Sequence, residues 1–201
     1  AHNAVGTYPI TCSGGVDDNY VFSYTPGTLT VTARTLVVTP ANKSKVYGDT
    51  FTAFTGTVTG ALGADSITVT YDSNGAPAAA IVGTYPINAT LTDPFNRLSN
   101  YTVTLNTGTL TVTQRTLIAT PDDKNKVYGT VFTAFTGTIA GLQNGDNITA
   151  TYASIGATAA AAVGPYPITV TLNDPGGQLP NYAVTLRTGT LTVTGNVLIV
   201  T

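Results

Sequence analysis

Apolar and polar residues alternate along almost the whole chain. Runs such as Ile67-Thr68-Val69-Thr70-Tyr71, Tyr101-Thr102-Val103-Thr104-Leu105 and Thr109-Leu110-Thr111-Val112-Thr113 keep a period of two and are rich in Val, Ile, Thr and Tyr. That is the pattern of half-buried strands, and no segment keeps a helical period. Asn74-Gly75, Thr107-Gly108 and Pro175-Gly176-Gly177 interrupt the runs with residues that supply or restrict φ, so they read as turns. Asn106-Thr107-Gly108 separates two alternating runs and predicts a tight hairpin. The fold class is therefore all-β, with six to eight short strands per module, closed as a small sandwich; a β-grasp-like sheet is the alternative. The inward positions predict a core of Leu36, Val38, Ile87, Tyr101, Leu110 and Val112, matched by Leu117, Ala119, Ile168, Tyr182, Leu191 and Val193.

Those two sets match because the chain repeats itself every 81 residues without insertion or deletion. RTLVVTPANKSKVYGDTFTAFTGT, from Arg34, returns as RTLIATPDDKNKVYGTVFTAFTGT, from Arg115, and about fifty of the 81 paired positions are identical. A fixed period of this kind marks an array of equal modules. Residues 34–114 and 115–195 are complete repeats. Residues 1–33 match only the second half of a repeat, through VGTYPIT and PGTLTVT, and residues 196–201 match only an opening strand. Strand parity slips by one at Ala33-Arg34, Gln114-Arg115 and Gly195-Asn196, which turns side chains to the opposite face. The chain is thus expected to leave one core and enter the next with no flexible linker, as a semi-rigid rod.

Composition narrows the function. Only 9% of residues are charged, the ten acids are all Asp, and the net charge of −2 offers no basic field for nucleic acid and no polybasic membrane patch. No apolar run approaches the ~18 residues of a membrane-spanning helix. Thr is roughly one residue in five, a composition associated with secreted bacterial repeat proteins. With one Cys there is no internal disulfide. Cys12 aligns with Ala89 and Val170, in a strand whose alternate residues are apolar, and reads as a small core-facing hydrophobe.

KVYGD (from Lys45), VGTYPI (from Val82) and NYTVTLNTGTLTVT (from Asn100) recur as KVYGT, VGPYPI and NYAVTLRTGTLTVT. In this order, and repeated, they resemble the MBG-type domains of bacterial surface proteins, the variety marked by a Tyr-Gly-x motif. The resemblance implies stalk modules of secreted or cell-surface proteins, often adhesins, without a catalytic set or cofactor. Thr130 stands where the first repeat has Asp49, so a turn cap or ion contact by that acid would be missing from the second.

Other chemistries are weaker. The lysines, Lys43, Lys45, Lys124 and Lys126, together with Asn100 and Asn181, supply the ingredients of an isopeptide crosslink but no Glu to promote it; solvated edge-strand lysines are the plainer reading. Asp17-Asp18, Asp93, Asp122-Asp123 and Asp174 lack a calcium-loop spacing and read as turn caps. Tyr47, Tyr85, Tyr128 and Tyr166 read as core or corner residues rather than sugar platforms. No nucleophile–base set or phosphate loop is present in the sequence. The expected function is a structural repeat array of an extracellular bacterial stalk or fibre, not an enzyme, whose partners are neighbouring modules or identical subunits. A carbohydrate- or surface-ligand-binding adhesin module is the alternative. The half-module at residues 1–33 and the spare strand Val197-Leu198-Ile199-Val200-Thr201 suggest head-to-tail strand donation, with Cys12 on the receiving face; a window cut from a longer stalk is the competing expectation.

Overall fold

The computed structural model describes residues 4–198. Within them a hairpin, β1 (Gly6–Ile10) and β2 (Gly27–Val31), precedes two sets of seven strands. The first set is β3 (Arg34–Pro40), β4 (Lys43–Val46), β5 (Gly56–Thr59), β6 (Thr68–Asp72), β7 (Gly83–Thr92), β8 (Tyr101–Leu105) and β9 (Gly108–Thr113). The second is β10 (Arg115–Pro121), β11 (Lys124–Val127), β12 (Gly137–Ala140), β13 (Thr149–Ala153), β14 (Gly164–Asn173), β15 (Tyr182–Leu186) and β16 (Gly189–Thr194). Every strand of the second set lies 81 residues after its counterpart, so the repeat is kept residue for residue. Helix among the described residues is limited to three-residue 3-10 turns, which removes the β-grasp alternative, since that fold packs a helix on its sheet.

The chain divides into two compact units. One comprises Ala1–Lys43, Ala53–Ser73 and Pro86–Thr109; the other comprises Ser44–Thr52, Asn74–Tyr85 and Leu110–Thr201. In the second unit a three-stranded sheet, β12-β10-β15, faces a four-stranded sheet, β11-β16-β14-β13, as a small sandwich. Leu117 and Ala119 of β10, Ile168 of β14, and Leu191 and Val193 of β16 are buried between them. In the first unit β3 pairs with β5 and β8, and β6 pairs with the far half of β7. Leu36, Val38, Ile87 and Tyr101 are buried there. All twelve expected core residues are buried, because inward parity and sandwich closure select the same positions.

The predicted hairpin at Asn106-Thr107-Gly108 does not form. β8 lies parallel to β3, as β15 lies parallel to β10, while β9 and β16 belong to the other sheet of their repeat. The three residues carry the chain across the sandwich. The Asn106 N–H continues the β3 ladder to the Val38 carbonyl at 2.9 Å, and the Asn106 side chain donates to Thr39 Oγ1 at 2.8 Å. Local alternation specifies two strands but not their partners, and here the non-local parallel partner wins.

The β1–β2 hairpin copies part of a complete repeat. Gly6, Tyr8 and Ile10 face Val31, Leu29 and Gly27, as Gly164, Tyr166 and Ile168 face Val193, Leu191 and Gly189. Cys12 departs from expectation: it is exposed and lies beyond the end of β1. β14 runs for ten residues because β13 pairs with its far half, Thr169–Asn173. β1 covers five residues and corresponds to the first half of β14.

Candidate inter-repeat interface

The densest set of recurring polar side chains lies in the second compact unit, where the end of one repeat meets the start of the next. The K-x-K-V-Y-G element shapes the donor side. β4 carries Lys45 inward, and its ammonium donates to the carbonyls of Asp49 (2.9 Å), Ala76 (3.3 Å) and Pro77. Lys126 repeats this with the carbonyls of Thr130 (2.9 Å) and Thr158. Both lysines are buried, contrary to the expectation of solvated edge residues. Burial pushes the Lys45 amine below its ordinary range, partly offset by Asp49. The carbonyls replace water around the charge, which makes a buried ammonium tolerable. They also tie the Tyr47-Gly48-Asp49 turn to the loop that follows Asn74. Gly48 N–H to the Ala78 carbonyl (3.3 Å) and Phe51 N–H to the Ala76 carbonyl (2.9 Å) complete the tie. The Asn100 and Asn181 side chains instead accept from the Val5 and Val82 N–H groups.

Each residue of the turn is used against the following repeat. Tyr47 is 2% exposed, its ring meets that of Tyr182 edge-on at 5.4 Å, and its hydroxyl donates to Asp146 Oδ2 at 3.0 Å. Tyr182 donates to the same oxygen at 2.6 Å and accepts from the Gln143 N–H at 3.0 Å. Burial, reinforced by Asp146, pushes the Tyr182 phenol up to about 12 and raises Tyr47 above its ordinary value. Gly48 has φ +87°, and a Cβ there would lie 2.7 Å from Gln143 Cβ, so its lack of a side chain admits the next repeat. Arg115 Nε donates to the Tyr47 carbonyl at 2.6 Å, and the same guanidinium pairs with Asp49. Around the turn, Val82 N–H donates to Asn181 Oδ1 (3.0 Å), Asn144 donates to the Ala78 carbonyl (3.1 Å), and Gln114 donates to the Pro180 carbonyl (3.0 Å).

Beneath these bonds Tyr47, Val112, Leu117, Ile148 and Tyr182 form one buried cluster, flanked by Ala80, Val82 and Tyr85. The parity slip at Gln114-Arg115 is present, but it does not separate two cores. Val112 and Leu117 fall on either side of it and pack into the same cluster, a correction to the sequence expectation. In the first unit the half-module meets the first repeat through the corresponding bond, Val5 N–H to Asn100 Oδ1 at 2.9 Å. Tyr101 donates to Asp65 Oδ2 at 2.5 Å, as Tyr182 does to Asp146.

The second copy of the motif stands open. Tyr128 is 47% exposed, a Cβ on Gly129 would meet nothing within 4 Å, and Val163, the counterpart of Val82, is 62% exposed. Thr130 turns its hydroxyl back to the Val127 carbonyl at 2.7 Å. At the position of Arg115 the chain has Asn196. Acid and base are therefore replaced together from one junction to the next, and that joint change was the sequence signal that could have revealed the Asp49–Arg115 pair.

Most of the remaining candidates have structural partners. Tyr8, Tyr85 and Tyr166 each donate back to the carbonyl four residues earlier, at Ala4 (2.7 Å), Ile81 (2.9 Å) and Ala162 (3.0 Å), and Tyr85 and Tyr166 pack over Gly75 and Gly156. Asp93 and Asp174 accept from the Leu98 and Leu179 N–H groups at 2.8 and 2.7 Å, which holds both carboxyls below the usual range. Asp17 caps Asn19, Asp123 accepts from the Thr190 N–H, and Asp122 is engaged by Thr136 and Lys124. A cavity of about 270 Å³ lined by Ala153, Ser154, Ile155, Pro167 and Thr169 presents no charged or aromatic side chain. Of the assembly residues, Val197 and Leu198 are exposed, at 83% and 87%; Ile199, Val200 and Thr201 lie outside the described residues. No described helix is long and apolar enough to cross a membrane.

Sheet pairs built to one period, with a Tyr-Gly turn serving as the joint between them, define a tandem-repeat protein of small all-β modules. The chain belongs to the family described as MBG domain (YGX type), which matches residues 1–30, 36–111 and 117–192. That family suggests repeat modules of surface proteins. No curated protein matches the chain. Among solved structures it is similar to Drosophila N-cadherin EC1-4, at 9% identity and a TM-score of 0.32 over 94% of this chain and 58% of that one. It is also similar to Sidekick-1 immunoglobulin domains 1-4, at 10% identity and a TM-score of 0.25 over 96% and 70% of the two chains. The chain thus spans a little over half the length of the cadherin fragment.

Proposed function

We propose that this chain is a non-catalytic structural repeat array of an extracellular bacterial stalk or fibre, with residues 34–114 and 115–195 as its complete modules. Its task is to join modules in series, and identical subunits continue the series head-to-tail. The supporting observation is the use of the Tyr47-Gly48-Asp49 turn: all three residues engage the next repeat. A module that displays a ligand site keeps its distinctive side chains for the ligand, whereas this one uses them on its neighbour. Binding of the intact chain to a glycan array and to extracellular-matrix proteins tests the reading. No saturable binding is expected. Saturable binding lost on substitution of exposed aromatic residues, with the junction intact, would replace the spacer by the adhesin-module alternative.

A further inference from the structure

In the second repeat the opening and closing segments run side by side as one parallel ladder. Residues 115–119 of β10 pair with Tyr182–Leu186 of β15, and Lys124–Val127 of β11 pair with residues 191–194 of β16. The two pairings lie in different sheets, yet they share one register. Asp123 and Thr190, at the crossing between them, are 67 residues apart, as are Arg115 and Tyr182, and Lys124 and Leu191. Hydrogen bonds carry the ladder over the crossing. The Arg187 N–H donates to the Ala119 carbonyl at 2.9 Å, and the Thr190 N–H donates to Asp123 Oδ1 at 2.6 Å. At the far end the Tyr128 N–H donates to the Thr194 carbonyl at 2.8 Å, and Thr194 Oγ1 donates to the Lys126 carbonyl at 3.1 Å. The first repeat keeps the register: Arg34 faces Tyr101, and Asn42 Oδ1 accepts from the Thr109 N–H at 2.8 Å, again 67 residues away.

The direction of the ladder decides how it meets a pull. Arg115, where the chain enters the repeat, lies at one end of the ladder, and Thr194, where it leaves, lies at the other. Tension along the chain therefore draws the two segments past each other lengthwise. A ladder sheared in this way loads all its bonds at once, and they must break together. An antiparallel pair pulled apart at two adjacent ends yields its bonds one after another. The same repeat contains such a pair, β13 on β14, with Thr149 facing Asn173 at its end. Forced unfolding is governed by the unfolding barrier and not by equilibrium stability, so the arrangement of the bonds matters as much as their number. The core resists the same motion: Leu117, Ala119, Leu191 and Val193 are buried on these strands, and sliding drags them through a close-packed interior.

We propose that residues 115–127 and 182–194 form a mechanical clamp against lengthwise tension, and that Asp123 is the staple that closes it where the chain changes sheets. This deepens the stalk reading above and rests on it, because load reaches a repeat only through the neighbours it joins. The ladder pairs of β10 end at Ala119 and those of β11 begin at Lys124. Between them the Asp123 carboxylate accepts in place of a backbone carbonyl, and a charged acceptor strengthens the bond. Asn42 offers an oxygen at the same place in the first repeat, which is why Asp and Asn exchange there between the copies.

Single-molecule pulling of the full chain with Cys12→Ser tests the clamp. In the lengthwise geometry the handles are attached at Gln114→Cys and Gly195→Cys, exposed positions that flank the second repeat. In the peeling geometry they are attached at Asn147→Cys and Gly176→Cys, exposed positions beside the Thr149–Asn173 end of the β13–β14 pair. At equal loading rate the lengthwise rupture force is expected to exceed the peeling force by about twofold or more. Asp123→Ala is expected to lower the lengthwise force and leave the peeling force unchanged, and Asp123→Asn is expected to preserve both. A lengthwise force no greater than the peeling force would overturn the clamp. A lengthwise force unmoved by Asp123→Ala, or both forces lowered alike as in a chain that is merely less stable, would overturn the staple. Failure of the spacer reading shows separately, as saturable binding in its own test with the rupture forces unaltered.

Discussion

At the scale of single residues, burial decides which copies of a repeated side chain matter. Tyr47 and Tyr128 occupy the same motif, yet one is enclosed and the other is half exposed. Tyr47→Ala removes an enclosed ring and leaves Asp146 with one phenol fewer, so it is expected to cost ~3–5 kcal/mol. Tyr128→Ala in the monomer is expected to stay within about 0.5 kcal/mol. Denaturant unfolding of the two variants checks the contrast, and equal costs would contradict the interface. The Tyr182 phenol, pushed up to about 12 from an ordinary value of 10, makes a pH prediction with a definite sign. A raised folded value means that the native state favours the neutral phenol. Its contribution is fully present below pH 10 and is lost as pH rises toward 12. Stability measured against pH is expected to fall across that window, and Tyr182→Phe is expected to flatten the fall. Asp93 and Asp174 act at the other end. Their carboxyls are held low by backbone N–H donors, so their contribution is present above their ordinary range near 3.8 and lost as pH falls through the lowered values.

At the scale of elements, the Tyr-Gly turn is a joint whose glycine serves two purposes. Gly48 and Gly129 share a positive φ, +87° and +89°, so alanine at either strains the backbone by roughly 1–2 kcal/mol. Only at Gly48 does the added methyl also meet Gln143. Gly48→Ala is therefore expected to destabilise more than Gly129→Ala, and Gln143→Ala in the same chain is expected to narrow the difference. A double-mutant cycle measures it, and independence of the two sites would mean that Gln143 does not restrict the turn. The Arg115–Asp49 pair contributes less. Its side chains are 25% and 53% exposed, so Asp49→Thr, the residue that the second repeat carries, is expected to cost no more than ~1 kcal/mol. Tyr47, Gly48 and the buried cluster hold the joint, and the ion pair adjusts it. The elements themselves were legible as strands because each keeps one face inward. Their partners were not: β8 and β9 read as a hairpin from Asn106-Thr107-Gly108, and Cys12 read as a core residue although its strand ends before it.

At the scale of the whole molecule, modules in series exchange stability through their interfaces, and the total behaves as module terms plus neighbour terms. The cluster of Tyr47, Val112, Leu117, Ile148 and Tyr182 is such a neighbour term, since it takes residues from both repeats. Amide exchange offers a test. The Tyr47 N–H, bonded to the Thr113 carbonyl at 2.9 Å, lies in the first repeat but in the second compact unit. Leu117→Ala is expected to lower its protection together with that of the second repeat. Unchanged protection at Tyr47 would mean that the repeats unfold independently.

The sequence by itself determined the period, the strand class, the inward residues and the family, because these are written in local alternation and in self-similarity, and both survive without knowledge of contacts. It also marked Asp49 and Thr130 as a place where the copies differ. Only the tertiary structure decided what that difference touches. Strand partnership is a contest between distant segments, and the parallel pairing of β3 with β8 and of β10 with β15 outcompeted the adjacent hairpin. The fate of each motif copy was likewise set outside the motif: Tyr47 is enclosed because Asp146, Gln143 and Tyr182 arrive from the next repeat, and Tyr128, in almost the same local sequence, is open because no described residues arrive there.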